Sequence, residues 1–532
     1  MHKRFLLIIL FLSLLKELVW TSLVPIWHFP DEQSHFGQLA YLAERGESPV
    51  GDKNDLTEEI RKSEQLLGTE RDTLGINKFT YHPEYKIEYT DSYKGKHEDQ
   101  IVKLAIDKTS RNMVKQESSR YPSFYYALLA NIYRKMYSED LFTRVFTIRI
   151  VQLIFFLGTV YFSYAIGKLL FQDEFLGLSL SILVSFHPMF SFVSGGINSD
   201  NIGNFIFTFY TFIALRLLKG IFLFSHIVLL FLISFLTLYF KLQFIITLPL
   251  SIFLASYLIL RIKTTLVKRQ TYFTVFIVVT IILVYVILIN NIGPSAVLPR
   301  FFAAFDLFRF SSYLKTYVFP HLYREVLPWY WGVYDWLGVT YPRYVHRLIN
   351  WTIVASLLGL AIWLKRNLKS FLNWPKVGIV FLIIESSALV FGIYIYDWLE
   401  FSQRNIHLGV QGRYFFPTVT AHMVLILIGI IYILPAKLKK FKFLIPKILA
   451  VAMIVLNIYA LYTIAKTYYF VLPINTFIIQ ASQYKPWFFK GVILGGLWVI
   501  YFVSLIIFVI RLLLYPRSKG DRRIPCWFLF FL

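Results

Sequence analysis

Apolar positions in this chain gather into long unbroken runs rather than alternating along strands. Each run is close to the roughly 20 residues that carry a helix across a bilayer. The first is Phe5 to Leu23. The others lie near 145–168, 176–194, 203–218, 221–239, 243–260, 272–290, 347–364, 377–396, 415–434, 444–463 and 489–514, which makes twelve. A polar stretch from about His28 to Arg120 separates the first run from the second. It is too long for a plain connection and predicts a folded loop of about 26–143 outside the membrane. At its end, Tyr125, Leu128, Leu129, Ile132 and Met136 recur at helical spacing. That segment, 121–136, is short for a span and predicts an interfacial helix.

Composition strengthens this picture. Of 532 residues, 57% are hydrophobic and 16% charged, and mean hydropathy is +0.58. The fold class expected is an all-α polytopic membrane protein, one integral domain over 1–514 with a basic tail at 515–532. The single cysteine, Cys526, excludes an intrachain disulfide. A net charge of +23 raises the question of nucleic acid, but lysines and arginines that flank spans meet anionic lipid instead. Nucleic acid is therefore not expected as a partner. The first run follows His2-Lys3-Arg4, as a signal peptide would, yet Trp20 and Pro25-Ile26-Trp27 stand where small cleavage-site residues belong. It reads as an uncleaved span.

Charge also orients the runs. With the N-terminus in the cytoplasm, the inner connections hold Lys168 to Glu174, Arg216 and Lys219, Arg261 to Arg269, Lys365 to Lys376 and Lys437 to Lys442, mostly basic. The tail, with Arg517, Lys519, Arg522 and Arg523, then lies inside as well. Counting 121–136 as a span would put the basic loops outside.

So oriented, the unusual polar motifs fall on the extracytoplasmic side. Pro30-Asp31-Glu32 and His35 follow the first run. Tyr121-Pro122-Ser123-Phe124-Tyr125-Tyr126 closes the first loop, and Asn198-Ser199-Asp200-Asn201 sits in a tight turn. Trp329-Tyr330-Trp331-Gly332 through Asp335-Trp336-Leu337 and Gln411-Gly412-Arg413-Tyr414 complete the set. Each has a plainer explanation: a capping carboxylate pair, ordinary turn chemistry, an aromatic belt, a snorkelling arginine. Together they supply carboxylates, a guanidinium and aromatic faces. Arginine offers a planar fork of donors to phosphate, and a carboxylate takes a proton from a hydroxyl. That chemistry suits a phosphate-bearing lipid and a sugar.

The ordered set resembles the GT-C superfamily of membrane glycosyltransferases, which use polyprenyl-phosphate sugars. Asp31-Glu32…His35-Phe36-Gly37 is similar to the first-loop signature of protein O-mannosyltransferases. The whole series, over residues 29–417, is closer to a bacterial and archaeal family of predicted membrane glycosyltransferases. That family shows Pro-Asp-Glu…His, Pro-x-x-Tyr-Tyr, Asn-x-Asp, Trp-Gly…Trp-Leu and Gly-Arg-Tyr-x-x-Pro elements in this order. The resemblance implies a GT-C-type fold and a transferase that moves a sugar from a polyprenyl-phosphate donor to a hydroxyl on a glycan, lipid or protein, with inversion. It implies Asp31 as base with Glu32 as its partner, and Arg413 and Lys241 as candidates for the donor phosphate. His35, Asp200, Asn198, Tyr125, Trp331 and Trp336 are candidates for shaping the acceptor side. The chain departs from the pattern at Tyr334-Asp335, where Phe-Gly is usual, which puts that acceptor side in question. No cofactor is required by these residues, and a divalent metal is left open, since no His/Asp/Glu spacing decides it. The membrane expected is the cell membrane, and membrane lipid is a partner. A transporter or flippase of lipid-linked saccharide is the rival, with Glu385 inside a run as its residue. A non-catalytic envelope scaffold is the third class.

Overall fold

A computed structural model describes residues 2–47, 55–70, 87–104, 111–113, 123–221, 224–237, 244, 246–261, 306–367, 373–435 and 442–515. Its helices are α1 (His2–Leu23), α2 (Glu32–Arg45), α3 (Glu58–Leu67), α4 (Glu98–Val102), α5 (Phe124–Lys135), α6 (Leu141–Val151), α7 (Leu153–Phe171), α8 (Glu174–Ser185), α9 (Pro188–Gly195), α10 (Asp200–Leu218), α11 (Phe224–Thr237) and α12 (Thr247–Arg261). Next, α13 is assembled from Leu307–Tyr313, Phe319–His321 and Leu327–Trp331, joined by the π turns Leu314–Val318 and Leu322–Val326. The series ends with α14 (Arg343–Asn367), α15 (Lys376–Arg404), α16 (Val419–Ile433), α17 (Leu444–Tyr468), α18 (Ile474–Ala481) and α19 (Gly491–Leu513). Two short antiparallel pairs accompany them. β1 (Asp55–Thr57) pairs with β2 (Arg111–Met113), Leu56 opposite Asn112, and β3 (Val333–Tyr334) pairs with β4 (Val339–Thr340).

Eight helical segments among the described residues are long and apolar enough to cross a membrane: His2–Leu23, Leu141–Phe171, Asp200–Leu218, Arg343–Asn367, Lys376–Arg404, Gly412–Ile433, Leu444–Tyr468 and Gly491–Leu513. The bent pair α8 and α9 makes nine when taken as one span. The expected count of twelve is not reached among these residues. The runs at 221–239 and 243–260 appear as α11 and α12, of 14 and 15 residues, and the run at 272–290 lies outside the described residues. So does the tail from 516 onward.

The expected run at 176–194 is bent by 61°. Pro188 is the cause, because it has no N–H to donate and forces the residue before it out of helical geometry. His187 is extended and its ring Nδ1 accepts the Phe190 N–H, capping α9. The break leaves carbonyls free inside the protein, where water cannot serve them. Lys16 of α1 donates to the Ser185 carbonyl, and Asn457 of α17 donates to that of Phe186 at 3.3 Å.

Small residues let helices approach closely, as in membrane bundles generally. A Cβ on Gly359 of α14 would sit 1.8 Å from the Gly429 carbonyl oxygen of α16. The outer faces of α14 and α19 carry exposed apolar residues, such as Trp351 and Val492, which suit a lipid surround.

The described parts of the polar stretch after α1 pack onto the bundle. α5 packs on α2 through Tyr125, Tyr126, Leu129, Ala130 and Tyr133. The stripe expected from the sequence is only partly used, because Leu128 stays on the exposed flank. Arg134 closes the joint by donating to the Ala43 carbonyl at 2.9 Å, near the C-terminal end of α2.

Candidate functional site

Between α1 and α2 the chain turns sharply, and both Trp27 (φ 64°) and Asp31 (φ 56°) take left-handed backbone. Such conformations cost about 1–3 kcal/mol each for a residue with a Cβ and persist where the surroundings enforce them. Asp31 stands at the N-cap of α2, yet its carboxylate does not cap the helix. It reaches instead to Arg413, whose Nη2 donates to Asp31 Oδ2 at 2.7 Å. The Asp31 side chain is 19% exposed and that of Arg413 6%.

Arg413 sits in the 3₁₀ turn Gly412–Thr418 that opens the span ending in α16. Gly412 makes this placement possible: a Cβ there would lie 2.2 Å from the Tyr330 backbone nitrogen of α13. Only one edge of the guanidinium is used by Asp31. Arg413 Nε and Nη1 are buried and have no hydrogen-bond partner among the described residues.

Glu32, next in sequence, faces the other way into a closed network. Arg149 of α6 grips it with one two-pronged edge, Nε to Oε1 at 2.7 Å and Nη2 to Oε2 at 2.5 Å, and both side chains are fully buried. Oε2 also accepts the Trp27 N–H at 3.1 Å and Oε1 the Ile197 N–H at 3.3 Å. Arg149 in turn serves the carbonyls of Thr21, Val24 and Pro25 at 3.2, 3.0 and 3.0 Å, where α1 ends. The two adjacent carboxylates therefore stand in different surroundings, Glu32 clamped and Asp31 at a partly open edge.

The turn between α9 and α10 joins the same end of the bundle. Asn198 Oδ1 accepts the Asp200 N–H at 2.8 Å, so Asp200 begins α10 from a fixed position. Tyr125 donates to Gln152 Oε1 at 2.7 Å, and the same oxygen accepts from Asn201 Nδ2 at 3.1 Å. Gln152 occupies the step between α6 and α7 and ties α5 to this turn. Burial pushes the Tyr125 hydroxyl well above the ordinary tyrosine range, so it acts there as a neutral donor.

Three other candidates take separate places. His35 bonds Tyr126 at 2.6 Å and fastens α2 to α5. Trp331 turns inward and stacks on His187 at 4.8 Å, beside the break of α8 and α9. Trp336 does come to the site loop, donating its Nε1–H to the Trp27 carbonyl at 3.3 Å. Lys241 lies outside the described residues.

Two residues of this region, Arg149 and Gln152, were not singled out by the sequence. Both lie inside an apolar run, and a charge within such a run is itself a signal of a buried partner. Asp335 is buried, and its Oδ1 accepts the Tyr468 hydroxyl at 3.0 Å and lies 3.6 Å from His28 Nδ1. Among the described residues no group of three or more His, Cys, Asp or Glu gathers to hold a metal ion. The arrangement offers a carboxylate at an accessible edge, beside a guanidinium with donors to spare. A comparison with curated proteins finds no match. Residues 14–422, well over half of the chain, match the model of the family described as "Predicted membrane protein (DUF2142)", and the chain belongs to that family of membrane proteins.

Proposed function

We propose that this protein is a GT-C-type glycosyltransferase of the cell membrane that moves a sugar from a polyprenyl-phosphate donor to a hydroxyl acceptor. The observation that carries the proposal is the state of Arg413: one nitrogen on Asp31 and two buried nitrogens without partners among the described residues. Unsatisfied guanidinium donors are costly to bury unless an anion completes them, and a phosphate oxygen pair matches that fork. In the proposed reaction Asp31 removes the acceptor's O–H proton. The acceptor oxygen bonds to the anomeric carbon as the bond from that carbon to the phosphate oxygen breaks. The electron pair leaves with the lipid phosphate, next to Arg413, and the anomeric centre inverts. Glu32, held by Arg149, keeps the loop that carries Asp31 in place.

The charge of the connections supports cytoplasmic termini and a site on the extracytoplasmic face of a chain with about twelve spans. The acceptor is a glycan, lipid or protein hydroxyl, and the carrier is undecaprenyl or dolichyl phosphate. Mass spectrometry of surface glycans and glycoproteins tests the proposal, comparing a deletion strain with wild type. A missing hexose or pentose, restored by the wild-type gene and not by Asp31→Asn, is expected. An unchanged glycan profile, or full restoration by Asp31→Asn, overturns it.

A further inference from the structure

A second strained turn lies against the first. Asp335, Trp336 and Leu337 are consecutive left-handed residues with φ of 51°, 52° and 71°. Trp27 and Asp31 are left-handed too, so five of the eight non-glycine residues with positive φ among the described residues meet at this junction. The two turns are joined by the Trp336 Nε1–H bond to the Trp27 carbonyl and by the Tyr468 hydroxyl, which bonds both Asp335 Oδ1 at 3.0 Å and His28 Nδ1 at 3.1 Å. Strain gathered in this way points to a function for the side chains so held. Glycine would relieve it at each position, and the chain instead sets a buried carboxylate there.

The carboxylate faces hydroxyls and rings. Its Oδ1 receives the Tyr468 hydroxyl at 3.0 Å, and the His28 ring meets the Tyr468 ring at 4.9 Å and 84°. Tyr89 packs on Tyr469 at 4.8 Å beside them. Tyr89, Tyr468 and Trp336 are all only half-buried. A carboxylate among partly open aromatic faces is a chemistry that recognises sugars: charge-assisted bonds to hydroxyls, with the apolar ring face against the aromatics. The Tyr468 hydroxyl already occupies the place on Asp335 that a sugar hydroxyl would take. His28 and Asp31 belong to one short loop, which puts this cluster next to the proposed base.

We infer that Asp335, His28, Tyr468, Tyr89 and Trp336 form a subsite for the hydroxyls of a saccharide beside Asp31. The inference rests on the transferase proposal for its role as an acceptor subsite, but not for sugar binding itself.

The test uses the full-length protein in detergent with methyl glycosides of glucose, mannose and galactose as probes. Saturation-transfer NMR reads binding, with wild type as the reference. At least one probe gives a signal with wild type. Asp335→Asn and Asp335→Gly weaken it about tenfold, the usual loss of a charge-assisted hydrogen bond. Asp335→Gly suits the left-handed backbone, so it carries the test if Asp335→Asn does not fold. Tyr468→Phe, which keeps the ring, alters the signal less. No signal with wild type, or an unchanged one in Asp335→Gly, overturns the subsite. A signal lost in Asp335→Gly in a protein that performs no sugar transfer leaves the subsite standing and removes the transferase proposal.

Discussion

Arg413 Nη2 stands 2.7 Å from Asp31 Oδ2, joining residues 382 positions apart in the chain. The pair sets a guanidinium charge directly beside the carboxylate of the proposed base. Asp31→Asn keeps the shape and a bond acceptor for Arg413 but cannot take a proton. It is expected to lower sugar transfer by roughly 10²–10⁴-fold, the range of a positioned general base, with little change in thermal stability. Arg413→Lys keeps the charge and loses the fork, so transfer falls mainly through weaker donor binding. Kinetics against donor concentration separate the two. Transfer at the wild-type rate by Asp31→Asn would exclude it as the base.

Glu32 and Arg149 predict the opposite pattern. Removing one partner of a buried ion pair leaves a charge without compensation and costs about 3–5 kcal/mol. Arg149→Met, and to a lesser degree Glu32→Gln, should lower the melting temperature in detergent clearly more than Asp31→Asn does. Equal melting temperatures for Arg149→Met and wild type would show that the clamp is not structural.

Glu385 separates transfer from transport. It is fully buried in α15, Oε1 accepting the Thr211 hydroxyl at 2.6 Å and Oε2 without a hydrogen-bond partner among the described residues. Glu385→Gln keeps the bond from Thr211 and removes the ionisable group. Transfer in reconstituted vesicles should persist within about twofold, since no proposed proton transfer uses this group. Loss of lipid-linked saccharide movement in Glu385→Gln, with no transferase activity in wild type, would favour the transporter.

Lys485 gives a pH prediction. It is buried, donating to Tyr469 Oη at 3.3 Å and to the Ala481 carbonyl, and among the described residues no carboxylate pairs with it. Burial, with help from nearby Arg149 and Lys490, holds its pKa well below the ordinary lysine value. The folded state then favours the neutral amine. The stabilising contribution is complete above the unfolded-state pKa, about 10.4, and is lost as pH falls through the depressed folded value. Lys485→Met removes this dependence. Its melting temperature should exceed that of wild type at neutral pH, with the gap narrowing as pH rises toward 10. A gap that does not depend on pH would refute the assignment.

What the sequence made legible was the helical membrane class and the gathering of distant motifs. Asp31, Arg413, Asn198, Asp200, Tyr125 and Trp336 do meet at one end of the bundle, directly or through Gln152 and the Trp27 carbonyl. The bend at Pro188 was not read, because hydropathy averages over a break that one proline makes. Nor was the division between Asp31 and Glu32. Two adjacent carboxylates look alike in sequence, and the left-handed turn at Asp31 sends them to different partners. Arg149 was hidden by the apolar residues around it, and Asp335 was marked only as a departure from the motif, because no composition records the strain of its loop.

Arg149 also bears on how the chain is made. The carbonyls at the end of α1 are met by a guanidinium about 125 residues later, whereas the loop with Asp31 is tied earlier, by Trp27 Nε1 to Ser63 Oγ at 3.0 Å. The contacts of Arg149 with the first helix can form only once α6 has been made. Maturation of that helix therefore comes only after the entire first loop has been translated. A substitution at position 149 would be felt first by the insertion and quality-control machinery, long before any question of catalysis arises.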